Sequence, residues 1–163
     1  SEKQLLNELD SYTAHADEIG QPISAKIPHR SKLLEILYPI FVEGSHESPS
    51  SPNRDAKLVR KLLELGFTIE DLSASLGTPI STPDAPDNDF RLEEAQRIRL
   101  TRLLWILAWT HELFEGDTAV AVRWITSPAK ALGGETPAAM TGSDQETEAV
   151  RTVIGRIAHG IPQ

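Results

Sequence analysis

The chain is 163 residues long, 39% apolar and free of cysteine, with a net charge of −8 from 16 basic and 24 acidic side chains. That length fits one domain of ordinary size or two small ones, and the missing thiols exclude disulfides and Cys-ligated zinc, as suits a reducing cytoplasm. The longest apolar run, Leu103 to Trp109, is too short to cross a bilayer, and the first residues lack the basic-then-apolar pattern of a secretory signal.

In chain order the pattern predicts helix after helix and no strand. Leu5, Leu6 and Leu9 mark a short amphipathic N-terminal helix. Residues 15–29, HADEIGQPISAKIPH, are broken by Gly20, Pro22 and Pro28. Ser31 is placed to cap KLLEILYPIFVEG, which Pro39 bends or ends. EGSHESPSSPN, residues 43–53, reads as a linker. Asn53 then caps RDAKLVRKLLEL, where Leu58, Leu62, Leu63 and Leu65 predict a buried stripe before a stop at Gly66. Thr68 with Asp71 resembles a capping box, opening a two-turn helix through Leu72 and Leu76 to Gly77. Helix, tight turn, helix is the first half of a helix-turn-helix, and equally any small helical hairpin.

A DNA-reading helix would come next, but residues 76–90 read LGTPISTPDAPDNDF. Pro79, Pro83 and Pro86 remove backbone donors and disfavour helix before them. Asp84, Asp87 and Asp89 carry the wrong sign for phosphate, and the stretch has no Lys or Arg. No DNA contact is assigned to it. No third of the chain is net basic either: residues 1–50 hold four basic and eight acidic residues, 51–90 four and seven, 91–163 eight and nine. The best basic cluster is Arg97, Arg99 and Arg102, with Arg54, Lys57, Arg60 and Lys61 second. By default Arg97, Arg99 and Arg102 are a solvated helix face; the alternative is contact with a DNA backbone.

The longest predicted helix lies within residues 91–116, with Leu92, Ala95, Ile98, Arg102, Trp105 and Trp109 at helical spacing. Apolar all round from Leu103 to Trp109, it either runs through the middle of the fold or forms a dimer seam. Asp117 opens TAVAVRWIT. Ser127 before Pro128 predicts a capped turn that Gly133-Gly134 ends, and Thr136-Pro137 starts another. Ser143 and Glu146 form a capping box for a helix with Val150, Val153, Ile154 and Ile157 on one face, stopped at Gly160.

WITSPAKALGGETP, Trp124 to Pro137, followed by the run from Val150 to Ile161, resembles the toxin-binding domain of the Xre/MbcA/ParS-type antitoxins. The pattern is a Trp–aliphatic pair, Pro, Leu-Gly-Gly, Thr-Pro and a helix ending in a Gly-Arg-Ile-x-x-Gly-type terminus, and it covers roughly residues 112–161. Residues 54–111 are similar in layout to the family's Xre-like helix-turn-helix region, degenerate here at 77–90. The chain departs from the family at SDQETE, where a Gly is usual. The resemblance implies an all-α antitoxin in three parts: an N-terminal extension and linker (1–53), the degenerate helix-turn-helix (54–111) and the toxin-binding domain (112–163). The implied partner is a RES-domain toxin, which degrades NAD or transfers its ADP-ribose. The antitoxin's C-terminal segment would lie in the toxin's cleft, here Arg156, Ile157, His159, Gly160, Ile161, Pro162 and Gln163. Ile157 and Ile161 would be apolar anchors, His159 a polar contact and the terminal carboxylate a phosphate mimic. A homodimer within a larger toxin–antitoxin complex, with no membrane and no cofactor, is expected.

Catalytic patterns are weak. HELFE at 111–115 has Glu115 where a zinc-protease motif needs its second His, so His111 reads as an ordinary half-buried residue. Gly133-Gly134 follows no strand and precedes no Gly-Lys-Ser/Thr, so it reads as a helix stop. No Ser-His-Asp set is visible. Trp105, Trp109 and Trp124 read as core or interface fillers, Trp124 under the Gly-Gly turn. The chain is expected not to be an enzyme. The alternatives to toxin inhibition are an autorepressor of the toxin–antitoxin operon with a rebuilt reading surface, and a plain interaction scaffold.

Overall fold

The computed structural model describes residues 2–13, 20–27, 31–42, 52–83 and 90–161. The linker core, Asp84, Pro86, Asp87, Asp89, Pro162 and Gln163 lie outside them. Among the described residues the fold is all-α: α1 (Glu2–Thr13), α2 (Lys32–Phe41), α3 (Pro52–Leu65), α4 (Ile69–Leu76), α5 (Glu94–Leu113), α6 (Thr118–Ile125) and α7 (Asp144–Ala158), with short 3₁₀ turns at Ile23–Ala25, Lys130–Leu132 and Pro137–Ala139.

Most boundaries follow local chemistry. Ser31 caps α2 through the Leu33 N–H, and Pro39 sits inside that helix, which runs on to Phe41. Thr68 and Asp71 form the full reciprocal capping box on α4, and Gly77 ends it at φ 76°. Asp117 caps α6, Thr136 caps its 3₁₀ turn, and Ser143 caps α7 through the Glu146 N–H. Two expectations need correction. Helix α3 already starts at Pro52, so Asn53 lies inside it. Ser127 caps nothing: its hydroxyl donates back to the Arg123 carbonyl at 2.5 Å, and the following turn starts from Ala129. A serine one turn past a helix residue has that carbonyl within reach, so the local back-bond wins.

Helix α5 is the axis of the molecule. Every residue from Leu100 to His111 is buried, and α1, α2, α4, α6 and α7 all pack against it. The all-round apolar run is thus covered within one chain. One continuous core joins Leu5 and Leu9 of α1, Leu33 and Phe41 of α2, Leu58 and Leu62 of α3, and Val150 and Ile154 of α7. Each such side chain contributes about 1.5–3 kcal/mol through burial. Leu63 and Leu65, expected in the buried stripe, are only half-buried; Val59 and Ala56 take the inner face instead.

After α4 the described residues 78–83 and 90–93 are not helical. They are fastened in place: Ser73 Oγ accepts from the Ile80 N–H at 3.1 Å, and Thr78 Oγ1 accepts from Gln96 Nε2 at 2.7 Å. Pro79 and Pro83 therefore lie in non-helical chain after the turn.

Buried polar contacts tie distant segments together. Asp55 accepts from the Tyr12 hydroxyl, from the Leu92 N–H at 3.0 Å and from Arg97 Nη2 at 3.0 Å. Burial first, then the Asp55 charge, pushes the Tyr12 phenol well above its ordinary value. Arg97 would be lowered by burial, but its bond to Asp55 overrides this and raises it. Arg102 Nε donates to Asp144 Oδ1 at 2.9 Å and its Nη1 to the Thr141 carbonyl at 3.0 Å. Arg99 lies over Gly77, where an added Cβ would meet its guanidinium carbon at 2.8 Å. Arg97, Arg99 and Arg102 are therefore not a solvated face. Two are held by carboxylates of other helices and the third rests on the end of α4, a partnership that sequence spacing does not reveal.

His111 is buried rather than half-buried, and neither ring nitrogen has a hydrogen-bond partner. Burial lowers its pKa below 6.5. The unfolded chain therefore takes up a proton more readily than the folded one. Stability from this group is complete above pH 6.5 and is lost as pH falls below it. Urea titrations should find folding stability falling from pH 6.5 downward, and a His111→Leu variant should flatten that slope before the carboxylates titrate; an unchanged slope would contradict the assignment. A second outcome follows from Arg102: the Arg102→Met variant removes the guanidinium shared by Asp144 and the Thr141 carbonyl and should lose about 3–5 kcal/mol by chemical denaturation. The Arg102→Met/Asp144→Leu pair should recover most of that loss.

Candidate functional site

The toxin-binding candidates lie at the far end of α7. Its last turn closes with the His159 N–H on the Gly155 carbonyl, Gly160 on Ile157 and Ile161 on Arg156 at 2.9 Å. With Gly160 at φ 71°, these bonds make the left-handed Schellman stop that a side chain other than Gly resists. The motif turns the chain off the helix axis and leaves Ile161 51% exposed. Arg156, His159 and Gly160 are exposed as well, and Ile157 is half-buried. Pro162 and Gln163 fall outside the described residues. Sequence spacing therefore brought Arg156 through Ile161 to one exposed helix end, while their roles as anchors or polar contacts rest on the resemblance.

Beside this end is a pocket of about 150 Å³. Trp124 comes to it from α6, Val153 and Ile157 from α7, and Ser127 to Ala131 from the loop between. The loop is shaped by paired backbone bonds: Ala129 N–H to the Glu135 carbonyl and Gly134 N–H to the Ala129 carbonyl, both 3.0 Å. Gly133 and Gly134 have φ of 70° and 90°, so the pair does close the turn as a stop, with open space where a Cβ would stand. Trp124 is half-buried and borders the residues ahead of that turn. Sequence reasoning singled out Trp124 as filler and did not identify it as a pocket wall. The available signal was that Trp124 and Ile157 fall in the two adjoining motifs of the resemblance.

Polar groups set where this unit stands. Thr141 Oγ1 donates to the Ser75 carbonyl while Ser75 Oγ donates to the Ala138 carbonyl at 2.6 Å, joining α4 to the segment before α7. Thr147 Oγ1 donates to the Met140 carbonyl at 3.0 Å. On the other flank Lys26 reaches Glu148 at 2.9 Å, and Trp109 Nε1 donates to the Lys26 carbonyl at 3.0 Å.

Among the described residues no group of three or more His, Asp or Glu is arranged to hold a metal ion. No helix among them is long and apolar enough to cross a membrane.

Residues 110–160 match the family described as antitoxin Xre/MbcA/ParS C-terminal toxin-binding domain. The chain is 36% identical over 72 residues to a protein named antitoxin Xre from Photorhabdus laumondii, covering 44% of this chain and 47% of that protein. It is 32% identical over 75 residues to an antitoxin Xre from Yersinia enterocolitica, covering 46% and 49%. The chain thus spans about half the length of the curated relatives it matches. The matched family begins on the last turn of α5 and ends at the Gly160 stop, so it contains α6, the pocket loop and α7. Through this C-terminal unit, residues 110–160, the chain is similar to the Xre/MbcA/ParS-type antitoxins.

Proposed function

We propose that the chain neutralises a RES-domain toxin by binding it and laying the end of α7 across the toxin's NAD site. The observation that carries this reading is the exposed, glycine-terminated end of the toxin-binding unit, where Ile161 stands 51% exposed. A large apolar side chain held out by a rigid stop is suited to fill a pocket on a partner, because its burial is deferred until binding. Ile161 acts as the apolar anchor and His159 as a polar contact, whereas Ile157, half-buried, lines the pocket beside them. Occlusion needs only that this segment occupy the cleft, so the chain works as an inhibitor and not as a catalyst. We assign it to the cytoplasm, as a homodimer inside a larger toxin–antitoxin complex, on the strength of the resemblance.

The alternative, an operon autorepressor using Arg97, Arg99 and Arg102, has less support. Asp55 and Asp144 neutralise Arg97 and Arg102 inside the fold, and a phosphate would have to displace them.

NAD turnover by the RES-domain toxin, titrated with the full chain and with a chain lacking residues 158–163, tests the proposal. The full chain should inhibit stoichiometrically, and the shortened chain should bind without inhibiting. Equal inhibition by both would refute occlusion by this segment.

A further inference from the structure

The pocket next to the helix end has a chemistry of its own. Its volume, about 150 Å³, lies well below the roughly 300–1,000 Å³ of small-molecule sites. It suits one inserted side chain and is too small for a nucleotide. Its floor is apolar, from Trp124, Val153 and Ile157.

Its rim is basic. Lys130 lines it, and Arg123 and Arg156 adjoin Trp124 and Ile157 in sequence; all three are exposed. Arg156 lies three residues after Val153, on the same helix face. Arg123 stands one turn before Ser127, whose hydroxyl reaches its carbonyl at 2.5 Å. Among the described residues no carboxylate pairs with Arg123, Lys130 or Arg156, in contrast with Lys26, Arg97 and Arg102. Glu135 is the acidic side chain of the same loop, and α7 has no carboxylate beyond Glu148. In a chain of net charge −8 this is a local reversal of sign. Folding gains nothing from it: like charges repel and the hollow leaves part of Trp124 open.

We infer that this pocket is a second docking point for the toxin, receiving one apolar side chain flanked by carboxylates from an acidic segment outside the NAD cleft. The inference rests on the toxin-binding reading above. A cleft that grips an anionic dinucleotide is cationic, so the basic rim is repelled from it and fits an acidic surface beside it. The two surfaces then have separate effects. The pocket sets affinity, and the end of α7 blocks substrate.

Calorimetric binding to the RES-domain toxin, run beside the NAD-turnover titration, separates these effects. Two variants avoid buried positions: Arg123→Glu/Lys130→Glu on the rim, and Ala131→Glu, which puts a carboxylate at the mouth of the pocket. Each should weaken binding at least about tenfold, while enough protein still brings turnover to the same floor. Raising salt from about 0.1 M to about 1 M, which shortens the Debye length from about 10 to 3 Å, should weaken the unaltered chain more than the rim variant. Unchanged affinity in both variants overturns the pocket and leaves the inhibitor reading intact. An unaltered chain that does not bind this toxin overturns both.

Discussion

Arg102 sits midway along α5 and is only 8% exposed, yet its guanidinium is satisfied by Asp144 and the Thr141 carbonyl. An ion taken out of water costs several kcal/mol unless its partners stand in good geometry. The first turn of α7 and the loop before it therefore have one acceptable position against α5. The Ser75–Ala138 and Thr141–Ser75 bonds fix the same loop from the side of α4. Because α7 has 15 residues, or about 22 Å at 1.5 Å per residue, this near-end anchor also decides where its far end stands. The exposed Ile161 is placed by that anchor together with the burial of Val150, Val153 and Ile154 along the same helix.

The N-terminal extension is fastened by the same means. Asp55, fully buried on α3, gathers Tyr12 from α1, the Leu92 N–H ahead of α5 and Arg97 from its first turns. Arg54 on the same turn reaches Glu8 at 3.3 Å. Leu5, Leu9, Ile23 and Ile27 then cover apolar surface, and Lys26 spans to Glu148 on α7. The described residues 2–13, 20–27 and 31–42 thus supply part of the wall around α5, and Lys26 braces α7.

Charge is distributed by role. The cations drawn into the fold, Arg54, Arg97 and Arg102, pair with carboxylates of other helices. Those around the pocket and the end of α7 carry no such partner among the described residues. Arg123, Lys130 and Arg156 give exposed positive charge to the unit that matches a toxin-binding family, within a chain that is net acidic.

The sequence by itself determined the helical fold, most helix ends and the likeness of the C-terminal part to a toxin-binding family. Caps such as Thr68 with Asp71, stops such as Gly77 and Gly160, and the apolar run through α5 all act within a turn or so of chain, so their effect is written locally. Tertiary structure decided what the long polar side chains do. Arg97 and Arg102 read as a surface patch in sequence, but their partners lie 42 residues away in each case. His111 went from half-buried to buried, and Trp124 from filler to pocket wall, for the same reason. Local spacing fixes which way a side chain leaves its helix, whereas its burial and its partner depend on which other helix folding brings against that face.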